Sequence, residues 1–378
     1  MDDQATAEIL RVFDKLPDPR RANACHKLID ILTIALVAVI CGANGWEEVE
    51  AYGKAKLPWL KTFLDLPRGI PSPDTFARVF ARLDPDAFEN NFRQWIAKLA
   101  DLSGGTLVAI DGKSLRRSFE NGWDKIGMTH MVSAFVQANH MVFGQVKTDG
   151  KGQELSGIQK LLEALFLKGA VVTIDALGCQ KSIAQAIRDA KADYLLQVKE
   201  NQPTLLAKLQ TVFAEAKLEH FAGTVSDQAQ SVDGDHGRIE TRKTWVIWDP
   251  KLLGAIAKDW PGLKSLVMVE RTREVNGKVS TEVHYYISSL DARRSAAQFL
   301  AYTRGHWSVE NNLHWQLDVC FNEDQRRIRK GYGAENFSRL CRMALNQLKR
   351  EKTHKNGIAI RRHTCGWDNA YLLKVLMA

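Results

Sequence analysis

The stretch LVAIDGK, residues 107–113, places an acidic residue at the end of a short apolar run. Four apolar residues precede Asp111, and Gly112 and Lys113 follow it. An apolar run of this length, bounded by small and polar residues, predicts a buried central strand with a carboxylate at its tip. A lone Asp after a strand is also an ordinary helix cap or turn residue. The interpretation therefore depends on whether the pattern recurs.

A second stretch, VVTIDA at residues 171–176, repeats this plan and ends in Asp175. A third acid, Glu310, lies in the polar and aromatic stretch HWSVEN at residues 306–311. Mg²⁺ prefers hard oxygen ligands and leaves coordination positions open for phosphate oxygens. Three carboxylates can hold two ions about 3.5–4 Å apart, which activate an attacking hydroxyl and stabilise a leaving oxygen. Together the three acids indicate metal-dependent phosphodiester chemistry.

The composition fits a folded protein with a polyanionic partner. A chain of 378 residues with 45% hydrophobic content is long enough for two or three domains with ordinary cores. The net charge of +8 favours nucleic acid, because Lys and Arg that neutralise phosphates gain affinity from counterion release. Six scattered cysteines without a C-x-x-C pair predict a reduced, cytoplasmic protein.

No membrane segment is expected. The longest apolar run, residues 31–41, is too short to span a bilayer, and the start Met-Asp-Asp lacks the basic region of a signal peptide.

Residues 1–102 are predicted to form an all-helical N-terminal domain, with the boundary in the small residues 103–105. Apolar residues recur at helical spacing from 28 to 39, and serine followed by proline at 72–73 is a typical helix start. The next helix, predicted over 74–83, carries Arg78 and Arg82 one turn apart. It is either the reading helix of a DNA-binding helix-turn-helix or half of a packed hairpin with solvated arginines.

Residues 103–350 are predicted to form an α/β domain with a ribonuclease-H-like mixed sheet, because the elements follow the order βββαβαβα. The predicted strands are 106–114, 128–139, 141–148, 170–174 and 193–199, and the predicted helices are 157–168, 180–191 and 203–218. In this order the first and fourth strands lie side by side. Asp111 and Asp175 then come together although the sequence separates them widely.

Two further parts complete this organisation. Strand-like segments at 239–248, 265–273 and 279–288, with a turn at Asn276-Gly277, predict a β-rich insertion at about 220–290. Residues 351–378 are predicted to form a C-terminal helical tail.

A helix predicted over residues 304–318 closes the site. It places His306, Glu310 and His314 at i, i+4 and i+8, nearly on one face. This spacing also fits a zinc site with histidine and carboxylate ligands, although zinc there leaves the two strand-tip acids without a role. Trp307 and Trp315 are expected either to pack in the core or to stack on a flipped base.

Basic and amide side chains near the acids are candidates for binding or supporting DNA. Residues 326–330 put four cations into five positions, which is either a solvated face or a DNA track. Arg238 lies in GDHGRIE, residues 234–240, which is either a phosphate-binding loop or a surface loop with an Arg–Glu pair. The full candidate set is Lys113, Lys199, Asn201, Gln202, Arg238, Arg304, His306, Trp307, Asn311, His314, Arg326, Arg327, Arg329 and Lys330.

With these residues in view, the chain resembles the DDE transposases of bacterial insertion sequences, in the group that includes the H-repeat-associated proteins. The similar segments cover nearly the whole chain: 16–20, 109–113, 175–176, 179–180, 199, 201–202, 236–238, 306–307, 310–311, 313–315, 317–319 and 327–331. The resemblance implies that Asp111, Asp175 and Glu310 form the acidic triad. It also implies that residues before about 100 are the family's associated N-terminal domain, a candidate for binding DNA ends.

The resemblance further implies Mg²⁺ as cofactor, with Mn²⁺ as a substitute. The implied partner is double-stranded DNA, both the element's ends and the target, bound by at least a homodimer. The implied location is the bacterial cytoplasm, with association to the nucleoid on DNA.

The chain departs from the family around the third acid. Related transposases carry Tyr, Arg and Lys at offsets of minus seven, minus four and plus seven, where this chain has Thr303, His306 and Leu317. Arg304 with His306 is the expected substitute for the missing cations. Asp318 is the fallback third ligand.

The leading hypothesis is a transposase that cleaves at the ends of an insertion sequence and joins the 3′ hydroxyl to target DNA. One alternative is a catalytically silent remnant that only binds DNA, which the absence of Mg²⁺-dependent nicking identifies. Another is a ribonuclease-H-like nuclease without end specificity, which cleaves whether or not a terminal repeat is present.

Overall fold

The computed structural model describes residues 13–21, 24–98, 104–119, 128–148, 150–235 and 237–378. The chain divides into two compact units. The helical unit comprises Met1–Asp101, Gly112–Gly157 and Glu310–Ala378, and the sheet unit comprises Leu102–Asp111 and Ile158–Val309. The predicted boundary at 102–103 lies outside the described residues, as does His236. The division into three consecutive domains stays a prediction.

The N-terminal part of the helical unit is helical, as predicted. Its helices are α1 (Leu28–Ile40), α2 (Trp46–Ala55), α3 (Leu57–Leu60), α4 (Pro73–Arg82) and α5 (Pro85–Ala97). Nearly all of α1 is buried, which its continuous apolar sequence requires. Ser72 caps α4 by accepting a hydrogen bond from the backbone N–H of Thr75, so the predicted helix start is confirmed.

The remaining elements alternate between strands and helices before the chain ends in helices. The strands and helices up to residue 218 are β1 (Leu107–Ser114), β2 (His130–Val136), β3 (Met141–Thr148), α6 (Glu154–Ala164), β4 (Val171–Ile174), α7 (Lys181–Asp189), β5 (Asp193–Val198) and α8 (Pro203–Leu218). They are followed by β6 (Ser226–Asp235), β7 (Arg238–Ile247), β8 (Ser265–Val275), β9 (Lys278–Ser288), α9 (Ala296–His306), α10 (Trp315–Val319), α11 (Gly333–Arg350), α12 (Ile358–Trp367) and α13 (Asn369–Met377).

The nine described strands form one mixed sheet in the order β3-β2-β1-β4-β5-β9-β8-β7-β6. β1, β4 and β5 are parallel neighbours, whereas β2 pairs with β3, and β5 with β9, in antiparallel fashion. The order 3-2-1-4-5 is that of the ribonuclease-H-like fold, so the predicted fold class is confirmed. The predicted adjacency of the first and fourth strands is confirmed with it.

The predicted β-rich segment extends this sheet. β7, β8 and β9 match the three predicted strands, and the turn at Asn276-Gly277 has φ angles of 50° and 74°, as a two-residue hairpin turn requires. β6 was not predicted, because its sequence SDQAQSVDGD lacks an alternating apolar face. The β9 strand hydrogen-bonds to β5, so the segment continues the core sheet and is not a separate layer.

Two predicted helices have different bounds. The helix predicted over 157–168 begins earlier, at Glu154, and ends at Ala164. The helix predicted over 304–318 is not continuous: α9 ends at His306, a π-helical turn spans Glu310–His314, and α10 comes after it. No described helix combines the length and apolar character that a membrane span needs.

The core of the helical unit contains buried ion pairs. Arg339 in α11 donates to Glu89 in α5 at 2.9 Å and to Glu335 at 2.8 Å. In the same helix Arg342 donates to Glu323 at 2.8 Å. Charges this deeply buried are tolerated only when paired, so these contacts fix how α11 packs.

Candidate active site

The register of β1 against β4 places the two predicted strand-tip acids side by side. Ile110 pairs with Ile174 in parallel register; Asp111 is the next residue of β1, and Asp175 directly follows the last residue of β4. Adjacent strands are about 4.8 Å apart, and paired residues point to the same face of the sheet. Within the sheet unit, each of the two acids therefore comes directly after one of a pair of neighbouring strand residues, and the predicted adjacency of the two strands is confirmed.

Asp175 also caps the turn that follows β4, a common role for an Asp after a strand. One carboxylate oxygen accepts a hydrogen bond from the backbone N–H of Leu177 at 3.1 Å and caps a short 3₁₀ turn. The following loop is held by two amides predicted to bind phosphate: Asn201 donates to the carbonyl of Ala176 at 2.6 Å, and Gln202 to that of Cys179 at 3.0 Å. These amides support the position of Asp175, whereas Lys199 before them is exposed.

His306 packs against the same face of the sheet as the acids. Its Nδ1 atom lies 3.1 Å from Oγ1 of Thr173, two residues before Asp175. Side chains two residues apart on an extended strand share a face. Burial lowers the pKa of His306 to about 4, so the ring is uncharged at neutral pH. His306 therefore does not replace the missing arginine as a cation.

Thr173 was not recognised in the sequence as part of the site. Its spacing of two residues from Asp175 was the signal that placed it on the same face. A Thr in a buried strand is common, so the spacing alone did not distinguish it.

Glu310 begins the π-helical turn and is exposed to solvent. Such turns occur frequently at functional sites. A π turn holds one extra residue and rotates the residues after it by about 100° relative to an α-helix. The prediction of one continuous helix over residues 304–318 is therefore wrong.

His314 belongs to a buried charged cluster in the helical unit. Burial lowers its pKa to about 3, and the positive charges of Arg342 and Lys113 act in the same direction. The ring is neutral and lies among structural groups, so a role in contacting DNA is not supported here.

The fallback ligand Asp318 is paired with Lys113. The Lys113 Nζ atom lies 2.7 Å from the Asp318 carboxylate and 3.4 Å from Asp324, which also pairs with Arg116. Burial raises the pKa of Asp318, and the Lys113 ammonium opposes that shift. Lys113 thus neutralises carboxylates of its own unit, and Asp318 already has a cation as its partner.

Comparison with known proteins agrees with this geometry. The profile described as Transposase DDE domain matches residues 102–347, and the one described as DDE_Tnp_1-associated matches residues 10–96. The chain belongs to the DDE transposase family. The resemblance seen in the sequence is confirmed.

Similar proteins extend over almost the whole chain. "Putative transposase YncI" of Escherichia coli O157:H7 is 41% identical over 97% of this chain and 94% of its own length. "H repeat-associated putative transposase YhhI" of E. coli strain K12 is 38% identical, over 96% and 95%. A piggyBac transposase solved as a synaptic complex with hairpin DNA aligns at 12% identity and a TM-score of 0.41, over 100% of this chain and 80% of that one. A likeness that loose supports no statement about mechanism.

The donor set of this DDE family member fits a hard divalent cation. Asp111 and Asp175 offer carboxylate oxygens at one edge of the sheet unit, and Glu310 belongs to the helical unit. Oxygen ligands of this kind suit Mg²⁺ and are not the nitrogen and sulfur donors typical of structural zinc. Among the residues that the structure describes, no three His, Cys, Asp or Glu side chains are grouped closely enough to hold a metal ion.

The basic residues at 326–330, predicted to contact DNA, do not all face solvent. Arg326 donates to the carbonyls of Asn44 and Phe321, and Arg329 donates to that of Arg117. These two arginines are structural. Arg327 and Lys330 are exposed and remain candidates for contacting phosphates.

Two further predicted DNA contacts, Arg304 and Arg238, lie in the sheet unit. Arg304 pairs with Asp233 at 3.0 Å, and Arg238 is exposed as the first residue of β7. The expected pair of Arg238 with Glu240 is not formed in the described part of the chain, since Glu240 pairs with Arg242 and Arg271.

The surroundings of Glu310 explain one difference from related transposases, which is the leucine at position 317 where they have a lysine. Trp307 and Trp315 are each about half exposed, so the expectation of core packing is wrong and stacking on a base stays a prediction. Asn311 is exposed next to Glu310. Leu317, where the family has Lys, is fully buried, and a lysine ammonium there would lose its hydration.

Proposed function

We propose that this transposase cleaves DNA at the ends of an insertion sequence and joins the freed 3′ hydroxyl to target DNA. The observation that supports this most directly is the β1–β4 register, which sets Asp111 beside Asp175. The loop after Asp175 is fixed by Asn201 and Gln202, so one member of the pair is positioned before any ligand binds. Preorganised ligands of this kind are what a phosphoryl-transfer site requires.

Asp111, Asp175 and Glu310 would hold Mg²⁺, or Mn²⁺ in its place. When bound, two such ions increase the acidity of a hydroxyl and stabilise the charge on the leaving oxygen. His306 stays neutral and contacts Thr173, two residues before Asp175.

Glu310 is the better candidate for the third acid for two reasons. Asp318 already accepts a hydrogen bond from Lys113, whereas Glu310 is exposed at the start of the π turn. Glu310 also follows His306 by four residues, so their Cα atoms are at most about 14 Å apart in any conformation. His306 itself contacts Thr173 of β4, the strand that directly precedes Asp175.

Double-stranded DNA is the proposed substrate, both as element ends and as target. The exposed cations Lys199, Arg238, Arg327 and Lys330 are the proposed phosphate contacts of the catalytic region. Acting on two ends in one reaction requires at least two copies of the chain on DNA.

The test uses plasmid DNA that carries the element's ends, with and without Mg²⁺ or Mn²⁺. Wild type is compared with Asp111→Asn and Glu310→Gln, and Glu219→Gln serves as a charge-matched control at an exposed site in the sheet unit. We expect metal-dependent nicking at the ends by wild type and the control, and none by the other two variants. Binding without nicking by wild type would identify a silent remnant. Nicking regardless of the ends would identify a nuclease without end specificity.

The Asp111→Asn variant separates catalysis from DNA binding. We expect its DNA affinity to be unchanged or slightly higher, because the substitution removes a negative charge and no phosphate contact. A thermal melt should show a folded variant, and an unfolded variant would contradict the assignment.

A further inference from the structure

An arginine-lined cleft lies in the N-terminal part of the helical unit. Its volume is about 300 Å³, and its lining includes Arg20, Arg21, His26, Arg78 and Arg82. None of the described residues that line it is acidic. The carboxylates of the candidate active site are not part of it.

The loop side of the cleft is lined by Arg20, the last residue of the segment LPDPR at 16–20, and by residues 21 and 24–26. The Arg20 guanidinium donates to both carboxylate oxygens of Asp18, at 2.9 and 2.8 Å, and to the carbonyl of His26 at 2.8 Å. The prolines on either side of Asp18 restrict the backbone further. Arg20 therefore closes the loop and holds its wall in place, a role that the sequence motif alone did not reveal.

The helix side of the cleft is α4. Phe76, Val79 and Phe80 are buried on one face of this helix, and Arg78 and Arg82 are exposed on another. Residues four apart stack one above the other on a helix, about one turn or 5.4 Å along its axis. The two guanidinium groups thus form a short basic row along the cleft.

Three arginines of the cleft carry positive charge that the described residues do not neutralise. In the described part of the chain, no ion pair joins Arg21, Arg78 or Arg82 to an acid, whereas Arg20 pairs with Asp18. Burial lowers the pKa of His26, and the charges of Arg20 and Arg68 lower it further. His26 is consequently neutral at pH 7, and the positive charge of the cleft comes from the arginines.

We propose that this arginine cleft binds a backbone phosphate of DNA, which rests on the proposed function in so far as DNA is the partner. A guanidinium fork matches phosphate oxygens and holds them in fixed geometry. Arg78 and Arg82 of α4 line this cleft together with residues 20–21 and 24–26. A helix that reads bases in the major groove needs this face open, which disfavours the helix-turn-helix alternative.

The test measures the affinity of the full chain for duplex DNA without divalent metal, at salt concentrations from about 50 to 200 mM. The variant is Arg78→Gln with Arg82→Gln. The matched control is Lys251→Gln with Lys258→Gln, which removes two exposed cations of the sheet unit that have no ion pair among the described residues. We expect the variant to bind about tenfold or more weakly, and the slope of log K against log salt concentration to become shallower by about 0.9, the value for one lost phosphate contact. The control should keep the wild-type slope.

The outcomes distinguish this inference from the proposed function. Wild type that fails to bind any duplex would contradict the proposed function. Wild type that binds, with an unchanged slope in the double variant, would overturn the cleft assignment alone. Thermal melting of the variant confirms that it is folded, and Arg78→Lys with Arg82→Lys should restore most of the slope because it restores the charge.

A last arm separates backbone phosphate from free phosphate. Inorganic phosphate is added in place of chloride at equal ionic strength. We expect no specific displacement of DNA from wild type. Phosphate binding by wild type that the Arg78→Gln, Arg82→Gln variant lacks, with equal DNA affinity and salt slope in the two proteins, would assign the cleft to a free anion and overturn the DNA contact.

Discussion

The ammonium of Lys113 lies 2.7 Å from the carboxylate of Asp318, and its side chain is only 9% exposed. Lys113 and Asp318 are close in sequence to the proposed metal ligands, but their ion pair gives them a structural role. Removing the acid leaves Lys113 with Asp324, at 3.4 Å, as its remaining carboxylate partner among the described residues. Asp318 and Glu310 therefore have different expected roles.

We expect Asp318→Asn to retain metal-dependent nicking and to lower the free energy of unfolding by about 1.5–3 kcal/mol, the range for hydrogen bonds to charged groups. Glu310→Gln should abolish metal-dependent nicking. It should leave the free energy of unfolding nearly unchanged, because Glu310 is exposed. Nicking assays and urea unfolding of both variants check this. Loss of nicking in Asp318→Asn alone would make Asp318 the third acid.

His306 makes stability depend on pH. The unfolded chain binds a proton at this residue below about 6.5, whereas burial keeps the folded ring neutral down to about 4. The free energy of unfolding should therefore fall as the pH drops from 6.5 to 4, by on the order of 3 kcal/mol from this residue. Above 6.5 this residue contributes no pH dependence.

Urea unfolding of His306→Gln at several pH values tests this effect. The glutamine can still bond to Thr173 but does not titrate, so the slope below pH 6.5 should become shallower. Part of the slope remains, because the pKa of His314 is lowered in the same direction. His220→Asn, at an exposed site whose φ of 50° suits Asn, is the control and should keep the wild-type slope. Equal slopes for all three proteins would refute the role of His306.

Glu89 should be among the most sensitive positions of the helical unit. It accepts hydrogen bonds from Arg339 at 2.9 Å and from the backbone N–H of Gln145 at 2.8 Å. Glu89→Ala leaves a buried guanidinium with one carboxylate fewer, which costs about 3–5 kcal/mol for such pairs. Thermal or urea unfolding measures it. Asp86→Asn, in the exposed first turn of the same helix, should cost less than about 1 kcal/mol.

Gly331 connects the basic segment to α4. Its φ is 52°, and a Cβ atom there would lie 2.4 Å from the carbonyl oxygen of Ala81, which accepts a hydrogen bond from Tyr332. We expect Gly331→Ala to destabilise the protein by about 1–3 kcal/mol through strain and this contact. Gly152→Ala, where a Cβ meets no atom within 4 Å, should be nearly neutral. Equal thermal midpoints for the two variants would contradict the close approach.

The features predicted well from sequence are local. The caps of α4 and the hairpin turn at Asn276-Gly277 depend on the residues present at those positions. The neighbouring acids depend on two apolar strands and on the few ways in which a βββαβ chain can form a sheet. β6 was missed because its pairing partner β7, and not its own sequence, makes it a strand.

The sequence by itself determined which acids follow the apolar runs of the two central strands, because apolar runs are buried and the polar residue after them marks where the burial ends. Only the tertiary structure decided the state of the other polar residues. His306 is neutral, Asp318 is paired and Arg326 is bonded to carbonyls because distant segments surround them. Burial and charge partners come from residues far apart in the chain, and no local pattern encodes them.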